Sequence, residues 1–299
     1  MLNNRTVGYL ALVGAVVGYG GLWPVTRNAI ETIPPFWFAS LRMSTGVIIL
    51  LGVLHFTGRL RLPPRQDLPL VISVGFIMLA FYTTLMHIAL LYVEAGRAAL
   101  LGYTTPLWVL PAAYFLFGEK PSKRRLIGMV IAMIGLFVLF NPGAFDWSNG
   151  DVVLGNALLM ICALLWSVTI IHIRSYRSLL TPIQLAPYQL MISASFIGLL
   201  ALIFEPLPDF DWNGTEWALL GYGGTFGTAL AMMSVTTCVR YLPTVVSTVG
   251  LLGAPVFALL LSVLFLNEEL TLDLASGLVL IVSGVALVSA PDRQRSRQV

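Results

Sequence analysis

The stretch that decides the fold occurs twice. Residues 94–139 read EAGRAALLGYTTPLWVLPAAYFLFGEKPSKRRLIGMVIAMIGLFVL, and residues 244–288 read TVVSTVGLLGAPVFALLLSVLFLNEELTLDLASGLVLIVSGVALV. Residues 92–140 align with 241–289 at a constant offset of 149, without a gap. Tyr92 falls on Tyr241, Pro106 on Pro255, Leu110 on Leu259 and Glu119 on Glu268. Gly128 and Gly135 fall on Gly277 and Gly284, and Ser122 on Thr271, a helix start in both copies. Earlier in each copy, LWPVT at 22–26 matches LWSVT at 165–169, at offset 143. Self-similarity of this kind predicts one architecture built twice, with a first unit over 1–145 and a second over 146–299.

Composition sets the solvent. Of 299 residues, 58% are apolar and only 10% charged, with a mean hydropathy of +0.87. A water-soluble domain carries about 25% charge, so this chain cannot coat a surface in water. Roughly 20 apolar residues cross a bilayer as a helix, and ten stretches meet that need: 7–30, 34–57, 68–92, 95–117, 123–140, 152–175, 182–204, 216–240, 243–266 and 271–290. Arg5 precedes an apolar run that continues to about Ile30, too long for a cleavable signal. The expected fold is an all-α membrane protein of ten transmembrane helices. The short connections leave no room for a separate catalytic domain.

Lys and Arg orient the spans. With the N-terminus inside, every Lys and Arg except Arg27, Arg42 and Arg97 lies in a cytoplasmic segment. Glu31, Glu94, Asp146, Asp151, Glu205, Asp209, Asp211, Glu216, Glu268, Glu269 and Asp273 fall on or near the opposite side. Both termini are therefore expected in the cytoplasm. Each unit has five spans, an odd number, so the second enters the membrane from the other face. The loop after Glu119 is basic (Lys120, Lys123, Arg124, Arg125) while its mate at Glu268 is acidic (Glu269, Asp273). Inverted repeats suit alternating access, because exchange of the two conformations turns an outward-open site inward.

These motifs resemble the EamA family of the drug/metabolite transporter superfamily. The quoted runs look like its fourth and fifth spans, and LWPVT and PPFWFASLR at 34–42 also fit. The resemblance covers nearly the whole chain. Within the superfamily it looks most like the bacterial inner-membrane exporters of aromatic amino acids, the YddG type. It implies a ten-span carrier with a central cavity, a small-molecule cargo of amino acids, and location in the bacterial inner membrane. One departure is that Gln189 stands near where the first copy has Arg42.

Trp and Tyr ordinarily gather at the membrane–water boundary, as Trp37, Trp147, Trp212 and Trp217 do. Trp23, Trp108 and Trp166 lie well inside spans, as do Tyr82 and Tyr103. Their N–H and O–H groups need partners that lipid does not offer. A hydrated substrate cavity would supply them, and so would carbonyls of the bundle core. His87 is a candidate titratable group in the pathway; it fits a satisfied core histidine as well. Arg42 sits about 12 Å below the start of its span at 1.5 Å per residue. It could hold a substrate carboxylate, snorkel outward or brace a helix end. Pro24, Pro106 and Pro255 each remove a helix hydrogen bond, and Gly253 precedes the last of them. Pro106 and Pro255 are repeat mates and are expected to act as paired hinges or fixed kinks. The glycine pairs are spaced by seven and so lie on one helix face, which favours close helix contact.

No carboxylate sits mid-span, so facilitated or weakly proton-coupled movement is expected. Phosphorylated cargo would want several cations in the cavity, and Arg42 stands alone. Export of Phe, Tyr, Trp and Met fits better. Export of drugs or other small apolar or cationic metabolites is the alternative carrier. An integral membrane enzyme is remote: His55, His87 and His172 have no ligand spacing. Cys162 and Cys238 lie in apolar runs, so no disulfide, metal or cofactor is expected. The basic residues read as cytoplasmic anchors rather than a nucleic-acid surface, leaving the lipid bilayer and a small-molecule substrate as partners of a monomer. Cysteines engineered at Glu119 and Glu268 should label from opposite faces of the membrane; labelling of both from one face would refute the inverted arrangement.

Overall fold

Lipid offers a backbone amide no partner, so chain inside a bilayer must bond to itself. The described residues accordingly form helices and no strand. The computed structural model describes residues 3–118, 122–140, 148–242 and 244–289. Glu119, Lys120, Trp147, the junction at 145/146 and the tail from 290 lie outside the described residues.

In chain order the helices are α1 Asn4–Ala29, α2 Pro35–Phe56, α3 Leu68–Ala89, α4 Ala95–Gly102, α5 Thr105–Phe117 and α6 Lys123–Phe140. The second set is α7 Gly150–Ser175, α8 Pro182–Phe204, α9 Gly214–Tyr241, α10 Thr244–Leu251, α11 Gly253–Phe265 and α12 Leu272–Ser289. Among the described residues, 7 helices are long and apolar enough to cross a membrane, counting α4 and α5 together. Two of the remaining expected spans fall outside that count for visible reasons. Lys123, Arg124 and Arg125 occupy the first turn of α6, and a break at Leu252 separates α10 from α11.

Two irregularities recur at the repeat spacing. Val74–Phe81 in α3 and Thr225–Leu230 in α9 are π-helical, and the offset of 149, carried back beyond the matched stretch, puts 74–81 on 223–230. The break between α4 and α5 at Tyr103 and Thr104 corresponds in the same way to Leu252. Proline follows each break. Pro106 has no N–H for the Gly102 carbonyl, which instead accepts from Thr105 Oγ1 at 3.0 Å.

Packing crosses the halves. α1 lies against α9 and α11, while α7 lies against α3, α4 and α5. α2 pairs with α8, and α6 with α12. The α6–α12 pair is close because glycine makes it so. A Cβ on Gly135 would meet Ile281 N at 2.8 Å, and one on Gly284 would meet Ala132 N and Gly128 O at 2.5 Å.

Helix starts are closed by side chains, some local and some distant. Asn149 accepts from Asp151 N and Val152 N at the start of α7, and Asn213 with Glu216 forms a reciprocal cap on α9. α2 and α4 have no cap of their own. Instead Glu205, just past α8, accepts from Phe36 N at 2.9 Å and Trp37 N at 3.0 Å. Glu268, just past α11, accepts from Ala95 N at 2.7 Å and Gly96 N at 2.9 Å. Burial raises both carboxyls above the usual carboxylate range, and the donated amides oppose that rise.

Gly284→Ala places a methyl group on backbone atoms, so thermal unfolding in detergent should show a loss of about 1–3 kcal/mol, the usual range for overpacking. Gly52, with nothing within 4 Å of its Cβ position, is the control. Gly52→Ala in mid-helix should be neutral or stabilising by up to about 1 kcal/mol.

Candidate functional site

The site is built around Arg42, which α2 carries into the bundle at 4% exposure. Room for it comes from Gly223, whose Cβ would lie 2.8 Å from Arg42 Cδ. Arg42 Nη1 donates to Thr228 Oγ1 at 2.7 Å, and that hydroxyl donates to Gly223 O at 2.8 Å. Thr228 lies in the π-helical stretch of α9. Such stretches often mark functional sites. Arg42 Nε is buried and has no hydrogen-bond partner among the described residues.

The repeat places Gln189 of α8 opposite α3 as Arg42 is placed opposite α9. A Cβ on Gly75 would meet Gln189 O at 3.0 Å, and one on Gly224 would meet Arg42 O at 3.1 Å. Gly75 and Gly224 are mates at offset 149. The two crossings are therefore equivalent, and only one carries a charge.

The guanidinium's neighbours are aromatic: a Cβ on Gly223 would also lie 3.2 Å from Phe38 Cζ. Tyr19, Tyr82 and His87 lie close enough to Arg42 to feel its charge, and Tyr19 acts likewise on Tyr103. Tyr82 and Trp166 have ring centroids 5.2 Å apart. Trp23, at 5% exposure, packs where a Cβ on Gly102 would lie 2.9 Å from its ring and 3.6 Å from Tyr82 Oη. The structure thus joins Trp23, Tyr82 and Trp166, from three different helices.

His87 is fully buried. Its Nδ1 bonds to Thr83 O at 2.8 Å, and its Nε2 has no partner among the described residues. Its ring lies 6.1 Å from that of Phe38. Tyr103 sits in the break after α4, and Trp108 in the first turn of α5 with a buried, unpartnered Nε1. Pro106 occupies the second position of α5, and its side chain lies outside the described residues. Pro24 is buried in α1 but lines a separate cleft of about 480 Å³ with Asn28, Tyr222 and Phe257; none of the site's rings lines it. Pro255 is buried in α11. Gly253 meets only Val16 methyls at 3.4 Å, an ordinary contact, so no close approach demands glycine there.

Sequence reasoning missed Tyr19, Phe38 and Thr228. Tyr19 did carry a signal: it lies four residues before Trp23, on the same helix face. Phe38, four residues before Arg42, carried the same signal; Thr228 gave none. Among the described residues no group of three metal-ligating side chains converges.

With this geometry in hand, the relatives can be placed. The model of the EamA-like transporter family matches residues 6–141 and again 153–290. The chain belongs to that family, and is a multi-pass membrane transporter. It is 23% identical over 277 residues to the uncharacterized transporter YoaV of Bacillus subtilis (strain 168), covering 92% of this chain and 94% of that one. It is 24% identical over 294 residues to the uncharacterized transporter YvbV of the same organism, covering 97% and 93%. A solved crystal structure shares the fold with a TM-score of 0.64 at 23% identity, covering 96% of both chains.

Thr228→Val removes the acceptor of a buried charged donor. It should lower stability in a detergent melt by about 1–3 kcal/mol, while Thr228→Ser, which keeps the hydroxyl, should recover most of that loss.

Proposed function

We propose that this transporter exports aromatic and other apolar amino acids across the bacterial inner membrane by alternating access. In this reading ten spans form two inverted five-helix units, 1–145 and 146–299, with both termini in the cytoplasm. The Glu205 and Glu268 end then faces outward. The protein works as a monomer, by facilitated or weakly proton-coupled movement.

One observation carries the cargo assignment: a buried guanidinium whose Nε has no partner among the described residues lies beside Phe38 and within electrostatic reach of Tyr19, Tyr82 and His87. A carboxylate is the natural acceptor for such a fork. The rings of Trp23, Tyr82 and Trp166 offer flat apolar faces to the side chain of the same molecule. His87 Nε2 adds one polar atom for the amino-acid backbone. A cationic drug would meet Arg42 as a like charge, which disfavours the alternative cargo. The groups that move are the interleaved sets, α1 with α9–α11 and α7 with α3–α5, rather than the sequence halves, because these are the sets that pack together.

The test is uptake of radiolabelled Phe or Trp into liposomes holding the pure protein, with and without a pH gradient. Native protein should exceed empty liposomes. Arg42→Gln and Arg42→Lys should each cut flux by about tenfold or more, the worth of one charge-assisted bond. Trp166→Ala and His87→Ala should also reduce it. Absence of flux for every amino acid tried would end the cargo assignment; full flux in Arg42→Gln would move the site elsewhere.

A further inference from the structure

Two helix pairs that join the first half of the chain to the second are fastened differently. The α2–α8 pair is tied at both ends. At one end Glu205 clasps Phe36 and Trp37; at the other Gln184 Nε2 donates to Arg59 O at 2.9 Å and Tyr188 Oη to Arg61 O at 3.0 Å. Nearby, Asp67 accepts from Leu179 N at 3.0 Å and Leu180 N at 2.9 Å.

The α4–α11 seam is tied at one end. There α4 packs on α11, and Gly96 allows the approach: a Cβ on it would lie 2.8 Å from both Leu259 Cδ1 and Glu268 Oε2. Glu268 is buried, and its two oxygens take one amide each from Ala95 and Gly96. Beside it Arg97 Nη2 meets Asp273 Oδ2 at 3.4 Å. The repeat-related pair, α10 with α5, has no comparable packing among the described residues. At offset 149 the position of Gly96 is held by Val245.

The geometry points to Glu268 as a gate residue: its carboxylate is a latch that holds the α4–α11 seam shut on the outer side and must release Ala95 and Gly96 for the site to open outward. This rests on the alternating-access reading and extends it by naming the contact that breaks. The latch suits that role for three reasons. It joins helices of different interleaved sets. Both amides are the first free donors of α4, so they lose their only partner when the seam parts and gain water in its place. Two short charge-assisted bonds need close registry, so a small separation cancels both.

The experiment reads accessibility and needs no cargo. Cys162 and Cys238 are replaced by alanine, and Thr26→Cys is introduced as reporter. Thr26 is fully buried near the outer end of α1, which packs against both α4 and α11. A membrane-impermeant maleimide is applied to right-side-out and inside-out vesicles. Glu268→Gln and Glu268→Ala should raise the outside labelling rate by about tenfold, the effect of losing one charge-assisted bond, without raising the inside rate. Gly96→Val, which keeps the carboxylate but wedges the seam, should do the same. Outside labelling that stays at the parent rate in Glu268→Gln and Gly96→Val, or rises equally from both faces, overturns the latch. Flux assays judge the cargo separately, so absence of amino-acid transport leaves this result readable.

Discussion

Every place where a helix stops or loosens inside a bilayer leaves backbone groups that must be satisfied by the protein, and this requirement organises the molecule. The Gly102 carbonyl, freed by Pro106, takes a bond from the Thr105 hydroxyl. The Gly223 carbonyl, just before the π-helical part of α9, takes one from Thr228, whose oxygen also accepts from Arg42. The bare starts of α2 and α4 take carboxylates from far along the chain. The first two repairs are local, and the last two tie distant helices together. Irregular backbone is tolerated at membrane depth only where protein or water covers it, so the interruptions gather around the site.

Duplication explains where the interruptions fall, and divergence explains why they are unequal. Both halves have a π-helical stretch and a broken span at matching positions. Yet the second copy has Gln189 near the position of Arg42, and Val245 at that of Gly96. The scaffold repeats, while the buried charge sits in one copy only. On the proposed reading, a single guanidinium suits a cargo with a single carboxylate. The seam has diverged likewise, with glycine at 96 and valine at 245.

Much of this was legible in the sequence. Proline at 106 and 255 marked both breaks, because a missing N–H is written in the residue itself. The spacing of Gly128, Gly135, Gly277 and Gly284 indicated a close helix pair, and α6 and α12 form it. Trp23, Tyr82 and Trp166 were singled out as aromatics at the wrong depth, and the fold brings them together. The π-helical stretches were not legible, since one extra residue per turn leaves no compositional trace. Nor were the partners of Arg42 and Glu268, which lie on other helices, nor the Phe38 ring beside His87. Glu268 looked like one boundary acid among many, because only the crossing of α4 and α11 sets it apart.

The bond between Arg42 and Thr228 bears on how tightly cargo could be held. On the proposed reading an arriving carboxylate does not meet an idle cation; it competes with a hydroxyl already seated on it. The exchange replaces a neutral acceptor by an ionic one, roughly twice as strong, so only the difference between them contributes to affinity. A resident surrogate of this kind keeps the guanidinium oriented between loads. It also lowers the depth of the well into which a load falls, and a vehicle that must discharge on the far side is better served by a shallow well than by a deep one.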